Sequence, residues 1–304
     1  MPPPDPVAGA ADNKAKMKAT RPCPGVFEEL AAGIQRLMMV DVFDGLRFEF
    51  AKGISQNFSL SHTMFLGTSL VPTGRMYNLS STYVHSPTQH MLNGRIDPSS
   101  GIVSGTAVCA LADNATLKII SRMTPEGSQA PSTATGELRY MGKDFTLHGK
   151  GSVGPQNGMS MSYLQSITQG VCVGGEARWN PAKALLGVSV GLRASSDVES
   201  AALQLNSDQG GPLAVTCGYL RQIDPQCMIA VNLDMVPEKM AAVATYSYAY
   251  RLTTSSVCGS LDTRWKIMTT IEERISPAFG ILFSGMLDHA NGKYSFGFGL
   301  TMGQ

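Results

Sequence analysis

Two short motifs in this 304-residue chain have spacings that could support chemistry. Gly187-Val-Ser-Val-Gly191 matches G-x-S-x-G, in which a serine on a sharp strand-to-helix turn attacks a carbonyl carbon. Gly149-Lys-Gly-Ser-Val-Gly154 matches G-x-G-x-x-G, whose glycines bring a phosphate close to a helix N-terminus. Both motifs lie among alternating residues, and no helical pattern follows either of them. We therefore expect strands at both places and no enzymatic activity.

The histidines and cysteines show no spacing typical of a metal centre. No two cysteines form C-x-x-C, and the histidines are scattered along the chain, so we predict neither a metal site nor a cofactor. Most cysteines fall inside strand-like runs and are interpreted as free thiols, which fits synthesis in a reducing compartment. They are Cys23, Cys109, Cys172, Cys217, Cys227 and Cys258.

The elements that carry these residues have a hydrophobic period of two from about Gly45 onward. In the last run, Tyr294, Phe296, Phe298 and Leu300 share one face, and small or polar residues occupy the other. Turn residues recur at intervals that fit a tilted bilayer-spanning strand of about 9–11 residues plus a turn. No apolar run is long enough for a membrane-spanning helix. The pattern predicts an all-β transmembrane barrel of about nineteen strands over residues 45–304, whose first and last strands close in parallel.

Composition is compatible with this barrel and leaves a large soluble β-sandwich open. Charged residues make up 15% of the chain, below the usual quarter, and there are 32 glycines. The net charge of +1 gives no electrostatic argument for a nucleic-acid partner. The N-terminus has no apolar core of a secretory signal, so we expect a barrel made in the cytosol for the outer membrane of an organelle, not a bacterial one.

Two segments precede the barrel. Residues 1–24 are rich in Pro and Lys and are expected to be a disordered tail. Residues 25–39 have apolar side chains at helical spacing and predict one amphipathic helix. A helix this short is marginal alone in water, and its polar face is not Lys/Arg-rich as a membrane-surface helix would be. We expect it inside the lumen, with an apolar face formed by Phe27, Leu30, Ile34 and Leu37.

Several stretches resemble the channel subunit of the translocase of the outer mitochondrial membrane, a family within the eukaryotic porin superfamily. The resemblance covers about residues 22–303. It rests on Pro24-Gly-Val-Phe-Glu-Glu29, the run from Phe48 to His62, Tyr163-Leu-Gln-Ser-Ile-Thr168 with Gly174-Gly-Glu176, and Gly297-Phe-Gly-Leu-Thr301. It implies an integral protein of the mitochondrial outer membrane that conducts unfolded precursor proteins from the cytosol.

The resemblance also implies partners and a sorting signal. The partners would be precursors with presequences, the receptor and small single-helix subunits of the translocase, a second copy of the chain, and membrane lipid. The signal is a pattern in the last strand that the sorting and assembly machinery reads during insertion, and here it is matched by Ser295, Gly297, Phe298 and Leu300.

Strand parity places carboxylates on the lumenal face, where they could contact basic presequences weakly and repeatedly. These candidates are Glu49, Glu137, Glu176, Asp234, Asp262 and Asp288. Basic residues are assigned to the same face, so the polar contact is mixed: Arg47, Arg139, Arg178, Arg264 and Lys293. Two other functions stay open. A metabolite pore of the voltage-dependent anion channel type would favour a net basic lumen, and a soluble β-rich binding protein would not enter a membrane.

Overall fold

The chain forms a single closed sheet. The computed structural model describes residues 23–69, 71, 73–85, 90–125, 131–154, 157–181, 185–207 and 211–303. The strands are β1 Gly45–Gly53, β2 Phe58–Leu66, β3 Arg75–His85, β4 His90–Asp97, β5 Ile102–Ala112, β6 Ala115–Met123, β7 Thr133–Met141, β8 Phe145–Val153, β9 Gly158–Ser166, β10 Val171–Asn180, β11 Leu185–Ser195, β12 Glu199–Ser207, β13 Leu213–Asp224, β14 Cys227–Val236, β15 Ala241–Arg251, β16 Ser255–Asp262, β17 Lys266–Ser276, β18 Phe279–Asp288 and β19 Lys293–Gly303.

Each strand pairs antiparallel with the next, and the ring closes where β1 and β19 pair in parallel. At this seam Leu46 lies opposite Phe298 and Phe48 lies opposite Leu300. The sheet has nineteen strands, so the predicted barrel and its parallel closure are confirmed. A sandwich of two sheets is excluded, because every strand has a hydrogen-bonded neighbour on both sides.

The outer face of the barrel is apolar. On β1, Leu46, Phe48 and Phe50 are exposed, whereas Arg47 and Glu49 between them point inward and are partly covered. The same alternation of outward and inward residues repeats on every strand, because residues directly opposite each other on neighbouring strands share a face. An exposed apolar band on this scale marks a surface that meets lipid or protein rather than water.

The alternation of strand direction defines two rims. Odd-numbered strands all begin at the same end of the barrel, which we call the first rim, and even-numbered strands begin at the second rim. A residue's place in its strand therefore gives its depth in the wall.

A segment of residues 23–44 lies against the inward-facing side of the sheet. It contains a 3-10 turn at Phe27–Glu29 and the helix α1 at Ala32–Met38. The single helix expected over 25–39 is thus divided, and between the two pieces Ala31 has φ −104° and ψ 17°, outside the helical range. The 3-10 turn contacts β9 and β10, and α1 contacts β13 to β16 farther around the ring. The main buried apolar cluster of the protein lies at this contact and includes Phe27, Leu30 and Ile34.

Residues 1–22, expected to be a disordered tail, lie outside the described residues. In the part of the chain that the structure describes, no helix has the length and apolarity needed to cross a membrane.

Candidate functional site

The inner wall of the barrel carries the polar groups, and all six predicted carboxylates occupy inward positions on it. The three glutamates lie at mid-depth and are engaged by bases. Arg47 donates to Glu49 from Nε at 2.9 Å and from Nη2 at 2.5 Å. Glu176 is 4% exposed and accepts from Nη2 of Arg178 at 2.8 Å. Both carboxylates are therefore partly neutralised.

Glu137 is the centre of a larger ionic group. Its Oε2 lies 3.3 Å from Nζ of Lys118 and 4.0 Å from Nε2 of His148. Its Oε1 lies 3.8 Å from Nζ of Lys150. Cross-strand register explains the group, because Lys118, Glu137 and Lys150 lie directly opposite one another on β6, β7 and β8.

The three aspartates lie apart from the glutamates, toward the first rim, where β14, β16 and β18 end. Asp234 accepts hydrogen bonds from Oγ1 of Thr216 and Nδ2 of Asn232, both at 2.9 Å. Asp262 and Asp288 accept hydrogen bonds from the turns that follow them. Among the described residues, no base lies within 4.0 Å of any of the three aspartates.

The wall is more basic than the sequence reading indicated. Parity and register together place further bases on the inward face, among them Arg95, Lys118, Arg122, Lys150, Arg193, Lys266 and Arg274. The assignment of Arg264 to this face is wrong, since β16 ends at Asp262 and Arg264 lies in the turn before β17. The further inward bases could have been predicted from the sequence by applying the two-residue alternation of strands to every basic residue.

Ion pairs and close packing hold the 23–44 segment to the wall. Glu28 lies 3.2 Å from Lys150, and Glu29 lies 3.2 Å from Arg139. Phe27, Leu30 and Ile34 are each no more than 3% exposed, and Leu37 packs at the edge of the same cluster. Inward-facing glycines allow the close approach: a Cβ at position 218 would lie 2.8 Å from Cδ1 of Ile34, and one at position 191 would lie 3.1 Å from Cε2 of Phe27.

At the other end the segment is fixed near the first rim. Phe43 is 4% exposed, and its backbone carbonyl accepts a hydrogen bond from Oγ of Ser284 at 2.5 Å. Asp44 accepts from Oγ1 of Thr68 and from the backbone N–H of Ser69, both at 2.7 Å. Burial raises the pKa of Asp44, but these hydrogen bonds outweigh it and hold that pKa below its ordinary value.

The four residues of the expected sorting signal divide between the two faces of β19. Ser295 and Gly297 point inward, and a Cβ at position 297 would lie only 2.4 Å from the carbonyl oxygen of Phe43. Phe298 and Leu300 point outward, where the ring of Phe298 packs edge-on against Phe283 at a centroid distance of 5.3 Å.

Neither motif considered at the outset forms a reactive site. Gly187–Gly191 lies within β11, where Ser189 is 3% exposed, and Gly149–Gly154 spans the end of β8 and its turn. Within the described residues, the next element after each motif is another strand and not a helix. Among the described residues, no group of three or more His, Cys, Asp or Glu side chains is placed to hold a metal ion.

Comparison with known proteins gives several curated relatives that align over most of their length. The chain is 26% identical over 293 residues to the probable mitochondrial import receptor subunit TOM40-2 of Arabidopsis thaliana, covering 92% of this chain and 90% of that protein. It is 27% identical to the TOM40 homolog 2 of Drosophila melanogaster, covering 92% and 84%. It is 26% identical to the TOM40 homolog of Homo sapiens, covering 97% and 82%.

Among solved structures, a mutant of the Rhodopseudomonas blastica porin is similar with a TM-score of 0.51 at 9% identity, covering 79% of this chain and 95% of that one. At this identity the likeness shows the barrel fold alone. The sequence profile described as eukaryotic porin matches residues 23–299. The chain therefore belongs to the eukaryotic porin family.

Proposed function

We propose that this protein is a protein-conducting channel of the mitochondrial outer membrane that admits unfolded precursor proteins from the cytosol. The observation that carries the proposal is the match, over nearly the whole chain, to import receptor subunits named TOM40 in a plant, a fly and a vertebrate. The closed barrel supplies a spanning structure, and its apolar outer band fits an integral position in lipid.

The inner wall supports transit of a polypeptide of varied charge. The mid-wall glutamates are paired with bases, so a passing chain meets paired charges at that depth. The aspartates near the first rim have no ion-pair partner among the described residues and are the carboxylates most available to a basic presequence. Contacts of this kind are weak and exchange quickly, as conduction requires.

We assign the 23–44 segment to the lumen, held there by Phe27, Leu30, Ile34 and Leu37. Its support is the contact of α1 with inward-facing Gly218 and of the 3-10 turn with inward-facing Gly191. For the last strand, Ser295, Gly297, Phe298 and Leu300 remain the proposed sorting signal. The proposed partners are precursor proteins, receptor and single-helix subunits of the translocase, and a second copy of the chain.

A current recording on the purified barrel in a planar bilayer tests the function. A basic amphipathic presequence peptide should block the current transiently, and the block should weaken as salt rises, because the screening length falls from about 10 Å at 0.1 M to about 3 Å at 1 M. A peptide of the same length with its basic residues replaced by Gln is the matched control and should not reproduce that block. A pore that ignores the presequence peptide contradicts the proposal, whether or not a nucleotide blocks it.

A metabolite pore is the second candidate, and one observation favours it. Basic side chains outnumber acidic ones at the inward strand positions, and the bases include Arg95, Arg122 and Arg193. The names of the curated relatives favour the protein-conducting function instead. The presequence peptide separates the two candidates, because only a protein-conducting pore should be blocked transiently by it.

A further inference from the structure

A row of hydroxyl and guanidinium groups crosses the inner wall near the first rim. Arg95 on β4 lies directly opposite Ser104 on β5, and Ser104 lies directly opposite Arg122 on β6. Neighbouring strands are about 4.8 Å apart, so the two arginines begin roughly 10 Å apart with a serine between them. The row continues with hydroxyl groups on both sides, at Ser80 on β3 and Thr133 on β7.

Asn78 places an unused donor beside this row. Its side chain is buried, at 5% exposure, and its Oδ1 accepts a hydrogen bond from Nε of Arg95 at 3.2 Å. Since Nε can only donate, the amide oxygen must face Arg95 and the amide nitrogen points elsewhere. That Nδ2 is buried and has no hydrogen-bond partner among the described residues. Because that nitrogen is closed to the lumen, Asn78 acts on the row through its Oδ1, which holds the Nε edge of Arg95.

The two guanidinium groups also lack a counter-charge. Both arginines are exposed, and no carboxylate among the described residues lies within 4.0 Å of either. Asp97, the acid on the same strand as Arg95, is engaged by the backbone N–H of Ser99 at 3.0 Å and by Oγ of Ser100 at 2.7 Å. The lysines farther along the wall differ, because Lys118 and Lys150 are paired with glutamates.

We infer that Arg95, Arg122 and Ser104 form a lumenal binding site for an oxyanion, either a phosphate group or a carboxylate group, with Asn78 positioning Arg95. Each guanidinium fork matches two oxygens of such a group, and the serine hydroxyl lies between the forks. The site does not depend on protein conduction, because either kind of pore could hold it.

Current block by inorganic pyrophosphate tests the site on the full-length barrel in a planar bilayer. The double variant Arg95→Gln, Arg122→Gln should raise the concentration for half block about tenfold or more, because the charge-assisted hydrogen bonds of both guanidinium groups are lost. The matched control is Lys266→Gln with Lys293→Gln, which also removes two inward positive charges at the first rim. It should change half block by about twofold or less, as loss of a screened distant charge would. Equal shifts in the two double variants would overturn the site.

A second variant separates a defined site from a diffuse positive field. Arg95→Lys with Arg122→Lys keeps both charges but loses both forks. Ion selectivity, read from the reversal potential, should stay at the wild-type value while pyrophosphate block weakens severalfold. Unchanged block in this variant would refute the defined site. A hexaglutamate peptide tested beside pyrophosphate identifies the source: block by the peptide alone indicates carboxylate chains, block by pyrophosphate alone indicates phosphates, and block by neither refutes the proposal.

Discussion

Gly218 is an inward-facing residue whose lack of a side chain lets α1 lie against the wall. A Cβ there would lie 2.8 Å from Cδ1 of Ile34 and 3.2 Å from Oδ1 of Asn232. We expect Gly218→Val to lower the free energy of unfolding by about 1–3 kcal/mol, as overpacking does, and to speed proteolysis within residues 23–44. Gly149→Val is the matched control, because that glycine faces outward with nothing within 4 Å of a Cβ. Equal losses of stability and equal cleavage rates would contradict this packing.

Asp44 should make stability depend on pH at the acid end. Its folded pKa is lowered, so the unfolded chain takes up protons first as the pH falls. The stabilisation is therefore fully present above the unfolded pKa of about 3.9 and is lost as the pH falls through the folded pKa. Asp44→Asn should be less stable than the wild type at pH 7, and the difference should shrink below pH of about 4. Denaturant unfolding across pH 2–7 measures it, and a difference that grows toward low pH would refute the assignment.

At the scale of elements, the lumenal place of α1 can be tested by crosslinking. Ile34 and Leu220 belong to one apolar contact, whereas the native Cys217 lies on the outward face of the same strand. In a chain whose other cysteines are replaced, Ile34→Cys should crosslink to Leu220→Cys through a short bifunctional maleimide. Ile34→Cys paired only with Cys217 should not crosslink. Crosslinking to Cys217 alone would place α1 outside the barrel.

The last strand combines two constraints, closure and sorting. Phe298→Asp puts a charge on the lipid face, which is unfavourable near the bilayer midplane, and Gly297→Glu drives a side chain into Phe43. We expect both variants to be synthesised but extracted by carbonate from mitochondrial membranes. Phe298→Leu keeps an apolar outward side chain and should stay in the pellet. Carbonate resistance of the Asp and Glu variants would contradict both the packing and the proposed signal.

For the whole molecule, the two sets of carboxylates should differ in their contribution to presequence block. Replacing Asp234, Asp262 and Asp288 together by Asn should weaken the block more than replacing Glu49, Glu137 and Glu176 together by Gln. The glutamates are ion-paired within the wall, whereas no base lies within 4.0 Å of the aspartates among the described residues. Each triple variant removes three negative charges, so each controls for net charge. A larger effect of the glutamate set would show that mid-wall carboxylates bind the peptide.

The strands and the faces of their residues could be predicted from the local sequence pattern, whereas contacts between strands could not. A period of two fixes which face each residue occupies, so strands and inward carboxylates such as Glu137 were predictable. The Arg95–Ser104–Arg122 row depends on register between strands, which one strand's pattern does not contain. The prediction for Arg264 was wrong because β16 ends two residues earlier, at Asp262. Arg264 lies in the turn that follows, in which Trp265 has a φ of +59°. The division of the helix at Ala31 leaves no mark in the apolar spacing of residues 25–39, so the sequence pattern could not reveal it.

The parallel seam between β1 and β19 has a topological consequence for the chain ends. Cys23 hydrogen-bonds Thr146 at the second rim, and the segment after it reaches the first rim, where β1 begins. The segment thus crosses the barrel once from rim to rim, in addition to the nineteen crossings made by the strands. The total number of crossings is even, so the chain returns to the rim from which it started. Position 23 and position 303 must then open to the same aqueous compartment. A membrane-impermeant thiol reagent should label Cys23 and an introduced Gly303→Cys from the same side of an intact outer membrane.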